Sequence, residues 1–214
     1  KHRIVRVYND DAVQSFNKIY VPVHDALEII DIKARAISPE GKVVELDKDN
    51  IKALSDDEGE PGFQLFAVEG VTVGSDIEYY YKLRRNASYF GREFVQGKTP
   101  VVKQVFELKS PSSLIFETKV YNDEQQEPVT DKTEEYRLIR YELSDIPQIN
   151  QEEFAFFNSN RIRIQYRLSY NLYSGGDSRL LTWSDAATRI HGLVYDFDKE
   201  QLKDIEKFIK VVDQ

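Results

Sequence analysis

The chain has 214 residues, no cysteine, a net charge of −8 and charged side chains at 31% of positions. The missing cysteine excludes thiol catalysis and disulfides, the acidic balance opposes non-specific nucleic-acid binding, and no apolar run reaches the ~20 residues of a membrane-spanning helix. A chain of this size buries roughly 70% of its unfolded surface, so its core needs no metal or disulfide staple.

The chain opens at Lys1 rather than at a methionine, so the start reads as trimmed, which leaves room for a removed export signal. Period-two alternation of apolar and polar residues then predicts strand after strand. In "IIDIKARAI" (29–37) Ile30, Ile32, Ala34 and Ala36 fall on one face, with Lys33 and Arg35 on the other. "SPEGK" supplies a turn and "VVEL" (43–46) the returning arm of a hairpin. "LSDDEGEPG" (54–62) is too acidic and too rich in Gly and Pro to pack, and is expected as an exposed loop. In "DIEYYYKLRR" (76–85) Ile77, Tyr79, Tyr81 and Leu83 oppose Glu78, Tyr80, Lys82 and Arg84.

Weaker alternation at 101–109, 114–121 and 136–143 is separated by the turn-rich stretches "SPSS", "YNDEQQEP" and "SDIP". "RIRIQYRLSY" (161–170) sets Ile162, Ile164, Tyr166, Leu168 and Tyr170 against Arg161, Arg163, Gln165 and Arg167. Strands joined by short polar loops predict a mainly β chain, a large antiparallel β-sandwich over 1–174. Beyond "YSGGDS" the period becomes helical, so 175–214 is expected as a linker and helical lead-in. Ser184 is the expected N-cap of a first helix and Asp198 of a second. The second carries an apolar stripe of Leu202, Ile205, Phe208, Ile209 and Val212.

Little in this pattern points to catalysis. His2, His24 and His191 stand apart, without metal-ligand spacing, and are expected as isolated histidines. Ser75 in "VGSDIEY" opens a strand rather than a nucleophile elbow, so it reads as a turn. Asp56, Asp57, Glu58 and Glu60 lack the ligand spacing of a calcium-binding helix-loop-helix and read as a solvated loop. Two features point to binding. Arg161, Arg163 and Arg167 form a basic stripe, open either to a ligand or to cross-strand pairing with acids. Tyr80 cannot share a face with Tyr79 and Tyr81, and an exposed aromatic there would stack a sugar or dock a partner.

In order along the chain, "ARAISPEGKVVEL" (34–46), "VEGVTVGSDIEYYYKLRR" (68–85), "FVQGKTPVVKQVFELKSPSSLIFETKVYN" (94–122), "IPQINQEEF" (146–154) and "LLTWSDAATRI" (180–190) resemble the bacterial domain of unknown function that precedes transglutaminase-like domains. The resemblance implies an N-terminal antiparallel β-sandwich in an exported protein, periplasmic or outer-membrane associated. It also implies a papain-like domain with a Cys-His-Asp triad downstream. That cysteine has no counterpart here, so no catalytic residue carries over. The tail, with Trp183, Leu202, Ile205 and Phe208, is expected to pack against or lead into that neighbour. The expected function is a non-catalytic domain positioning a polypeptide or glycan substrate for a hydrolase, without a cofactor. Two alternatives stand beside it: a stand-alone carbohydrate- or protein-binding module using the tyrosine-rich surface, and a metal-dependent hydrolase built from Asp, Glu and His.

Overall fold

The computed structural model describes residues 1–55, 61–123, 126–174, 178–195 and 197–212. The acidic stretch with Asp56, Asp57, Glu58 and Glu60 lies outside the described residues. The chain is mainly β, with antiparallel sheets and short C-terminal helices, as the alternation predicts. Its strands fall into two compact units, Lys1–Ala87 and Ser88–Gln214.

The first unit contains β1 (His2–Arg6), α1 (Asp10–Phe16), β2 (Lys18–Pro22), β3 (Ala26–Ile37), β4 (Val43–Glu45), β5 (Lys52–Ser55), β6 (Pro61–Ala67) and β7 (Asp76–Arg85). One sheet runs β1-β7-β3-β4 and the other β2-β6-β5. Their inner faces share one core: Ile32, Ala34 and Ala36 from β3 and Ile77 from β7 meet Ile19 and Val21 from β2 and Phe66 from β6. Tyr79, Tyr81 and Leu83 pack against that core. Fully burying a side chain such as Phe66 stabilises by roughly 1.5–3 kcal/mol.

Two details depart from the sequence reading. Register shifts between Ala26 and Glu28 and between Ile29 and Asp31 break the alternation, because a bulge adds an unpaired residue; Ile30 is left 43% exposed instead of joining Ile32. The helix α1 interrupts a stretch expected to hold only strands and loops. The Asn9 side chain accepts from the Ala12 amide at 2.8 Å, with Asp10 and Asp11 in the first turn, an arrangement that satisfies a free amide and favours the positive helix end. Ser75 is fully buried. Its hydroxyl accepts from the Thr72 amide at 3.0 Å, so it closes a turn, as expected.

The second unit contains β8 (Phe90–Phe94), β9 (Val101–Pro111), β10 (Leu114–Tyr121), β11 (Val129–Lys132), β12 (Tyr136–Ile146), α2 (Phe157–Asn160), β13 (Arg163–Asn171), α3 (Trp183–Tyr195) and α4 (Lys199–Val212). One sheet runs β10-β13-β8 and the other β11-β12-β9. Val120 and Ile164 of the first meet Tyr141, Leu143 and Ile146 of the second. The buried Tyr141 hydroxyl is satisfied by Thr118 Oγ1 at 2.9 Å. A Cβ at position 91 would run into the Tyr166 hydroxyl, so any residue larger than glycine there must displace that ring.

Both C-terminal helices are capped, one of them at a different residue from that expected. Thr182, not Ser184, caps α3: its Oγ1 accepts from the Asp185 amide at 3.2 Å, and Asp185 Oδ2 accepts from the Thr182 amide at 2.8 Å. Ser184 loses because only Thr182 has a helix-compatible acid three residues on, closing a reciprocal capping box. At α4 the expected cap holds. Asp198 Oδ1 accepts from the Glu200 and Gln201 amides, each at 2.8 Å, and Gln201 Oε1 accepts from the Asp198 amide.

Candidate functional site

The inner residues of β10 and β13 are fixed by their contacts: Thr118 reaches Tyr141, and the Tyr166 ring meets Phe106 and Phe116. The intervening residues therefore point outward. Antiparallel register lines them up in three rows across the sheet: Tyr121, Arg163 and Phe94; Lys119, Gln165 and Arg92; Glu117, Arg167 and Phe90. Arg161, just before β13, completes this face.

The cations rest on aromatic rings. The Arg161 guanidinium lies 4.1 Å from the Phe94 ring centre and 5.3 Å from that of Phe157. Arg163 and Lys119 share the Tyr121 ring, at 4.6 and 5.2 Å, and Arg92 sits 5.8 Å from Phe94. Such placements are each worth about 0.5–1 kcal/mol where exposed. Backbone carbonyls hold two guanidiniums further: Arg161 Nε donates to Gln96 O at 2.6 Å, and Arg163 Nη1 to Ser159 O at 2.7 Å. Burial pushes the pKa of Arg161 below the ordinary arginine value, with the charge of Glu93 acting the other way.

At the far end Glu117 gathers two arginines. Arg167 Nη2 donates to it at 3.1 Å, and Arg179 donates from Nη1 at 2.7 Å and from Nη2 at 2.5 Å. Desolvation works to raise the Glu117 carboxyl, but hydrogen bonds led by Arg179 outweigh it and hold the group below the usual carboxylate range. Arg179 also lines a cleft of about 590 Å³ with Leu168, Leu181, Asp185 and Arg189, where the chain passes into α3.

The predicted site residues thus separate. Arg161, Arg163 and Arg167 share one face, but only Arg167 makes the expected cross-strand ion pair; among the described residues Arg92, Lys119 and Arg163 have no carboxylate within 4.0 Å. Tyr80 belongs to the first unit, half-buried on β7 between His2 and Lys33. Arginines on that face meet carboxylates: Glu78 takes Arg35 at 2.5 Å, with His2 at 2.8 Å, and Asp76 takes Arg6 at 2.6 Å. Trp183, Leu202, Ile205 and Phe208 lie exposed along α3 and α4. His2 lies against Glu78, His24 near Asp25 and His191 over Tyr195. Among the described residues no group of three or more His, Asp or Glu has the arrangement to hold a metal ion. Sequence reasoning missed Arg92, Lys119 and Arg179, because strand register and a turn, not chain spacing, bring them to the arginine stripe.

Residues 1–150 match the family described as Domain of Unknown Function with solved-structure structure (DUF3857). No curated protein matches the chain. Among solved structures, the chain is similar to a crystal structure from Parabacteroides distasonis described as a "putative protease", with a TM-score of 0.67 and 13% identity. The alignment covers 77% of this chain and 35% of that one. At that identity the likeness shows a shared fold.

Proposed function

We propose, from the premise that this chain belongs to the DUF3857 family, that it is a non-catalytic β module positioning a polypeptide substrate for a peptidase domain of the transglutaminase-like kind in the same polypeptide. The observation that carries this reading is the fold shared with a longer protein described as a "putative protease". The C-terminal helices agree with it. An apolar stripe of Leu202, Ile205, Phe208 and Ile209 lies along α4 and remains exposed, and such a stripe on a capped amphipathic helix is built for burial. In this reading 175–214 leads from the β units toward the catalytic neighbour, with Trp183, Leu202, Ile205 and Phe208 as its contacts, and the protein is exported. Within the Tyr79–Tyr81 run, Tyr79 and Tyr81 pack on the core and Tyr80 turns outward half-buried, so that run offers the tyrosine-surface alternative one ring rather than a platform.

The test is direct. The purified chain, incubated with casein, is expected to release no new peptide N-termini by mass spectrometry. Cleavage that persists through repeated purification and tracks with this chain overturns the proposal.

A further inference from the structure

We infer that the outer face of the β10-β13-β8 sheet docks a carboxylate-rich, extended polypeptide segment, with Arg92, Lys119 and Arg163 meeting its side-chain carboxylates. This rests on the substrate-positioning reading above and gives that substrate a chemical class.

Charge is the first argument. The chain carries −8 overall, yet this face gathers Arg92, Lys119, Arg161, Arg163 and Arg167, while Glu117 at its far end is already engaged by Arg167 and Arg179. On the first unit, by contrast, outward arginines meet carboxylates at 2.5 and 2.6 Å. An acidic protein that concentrates unneutralised cations on one sheet face focuses a positive potential there.

The second argument is order. A guanidinium has five N–H donors. Arg163 spends Nη1 on backbone carbonyls, and Arg161 spends Nε on Gln96 O and Nη1 on Asn158 Oδ1. In each the remaining donors lie on a group already held flat by a ring and a carbonyl. A ligand meeting donors fixed in advance loses less conformational entropy on binding, and a planar guanidinium fits a planar carboxylate with two parallel hydrogen bonds.

Spacing and the state of the rings select the class. Side chains on one strand face recur every second residue, roughly 6.8 Å apart. Alternate side chains of an extended peptide repeat at the same distance, so acidic residues two positions apart match the Arg163 row and the adjoining row of Lys119, Gln165 and Arg92 in step. Bases bind by stacking on open ring faces, but at the Arg163 end of this face Phe94 and Tyr121 already carry cations.

The probe is fluorescein-labelled poly-L-glutamate, titrated with the full chain and followed by anisotropy. Saturable binding at low salt is expected, weakening toward about 0.15 M as screening shortens to ~8 Å. The double variant Arg92→Gln/Lys119→Gln, changed at two exposed side chains, is expected to bind about tenfold more weakly with an unaltered circular-dichroism spectrum. The matched pair Lys33→Gln/Lys82→Gln on the first unit is expected to bind as the parent does. No saturable binding, or equal binding by the face variant, overturns the inference. So does tighter binding of heparin or single-stranded DNA, which would reassign the face to another polyanion. The casein assay tests the parent reading separately, so either result can fail alone.

Discussion

Glu117 shows how one side chain divides the basic face into a neutralised end and an open one. Arg167 and Arg179 converge on its carboxylate, and its pKa is depressed despite desolvation, through hydrogen bonds led by Arg179. A carboxyl whose folded-state pKa is lowered stabilises the fold above its unfolded value and loses that contribution as pH falls through the folded value. Glu117→Gln is therefore expected to lower the melting temperature at neutral pH. The gap from the parent should close as pH drops below the ordinary carboxylate range. A gap that stays constant across thermal melts from neutral to acid pH would show that the pair adds no charge-dependent stability. The single-residue features most legible in the sequence were alternation-based: Tyr79 inward and Tyr80 outward follow from the pleat alone. Arg179 was not legible, because its partner Glu117 lies 62 residues away.

At the scale of an element, local chemistry was readable wherever both partners sit within one turn. The Asp198 cap and the α4 stripe needed only neighbouring residues, and both appear as expected. Ser184 was misread because the reciprocal partner, Asp185, selects Thr182. In β3 the alternation was right from Ile32 onward and failed at Ile30, where a bulge changes the count in a way no residue in "ALEII" announces. The cap has a measurable weight. Asp198→Ala removes the acceptor for two amides and is expected to cost about 1 kcal/mol of helix stability. It should appear as reduced helical ellipticity of the full chain and faster amide exchange at the α4 N-terminus. Unchanged exchange there would mean that the cap does not hold the helix.

For the molecule as a whole, the mainly β, antiparallel architecture was legible, whereas the distribution of strands over two cores was not. Period two says which residues turn inward, but not which sheet they will face. That choice depends on non-local pairings such as β3 with β7 and β12 with β9. Each unit draws its core from its own two sheets, and this has an energetic consequence. Phe66→Ala is expected to cost about 3–5 kcal/mol and Leu143→Ala about 2–5 kcal/mol. By hydrogen exchange, the first should raise exchange in β2, β3, β6 and β7, and the second in β9, β10, β12 and β13. Loss of protection throughout the chain from either change alone would show that the two cores unfold as one.

Trp183 is the chain's single tryptophan, 92% exposed at the first residue of α3 and absent from both cores. Indole emission is consequently blind to the sandwiches: either can melt with its tyrosines and phenylalanines while the tryptophan signal scarcely moves. The same residue is a built-in optical reporter for α3, and a blue shift of its emission would register burial of that helix by a partner.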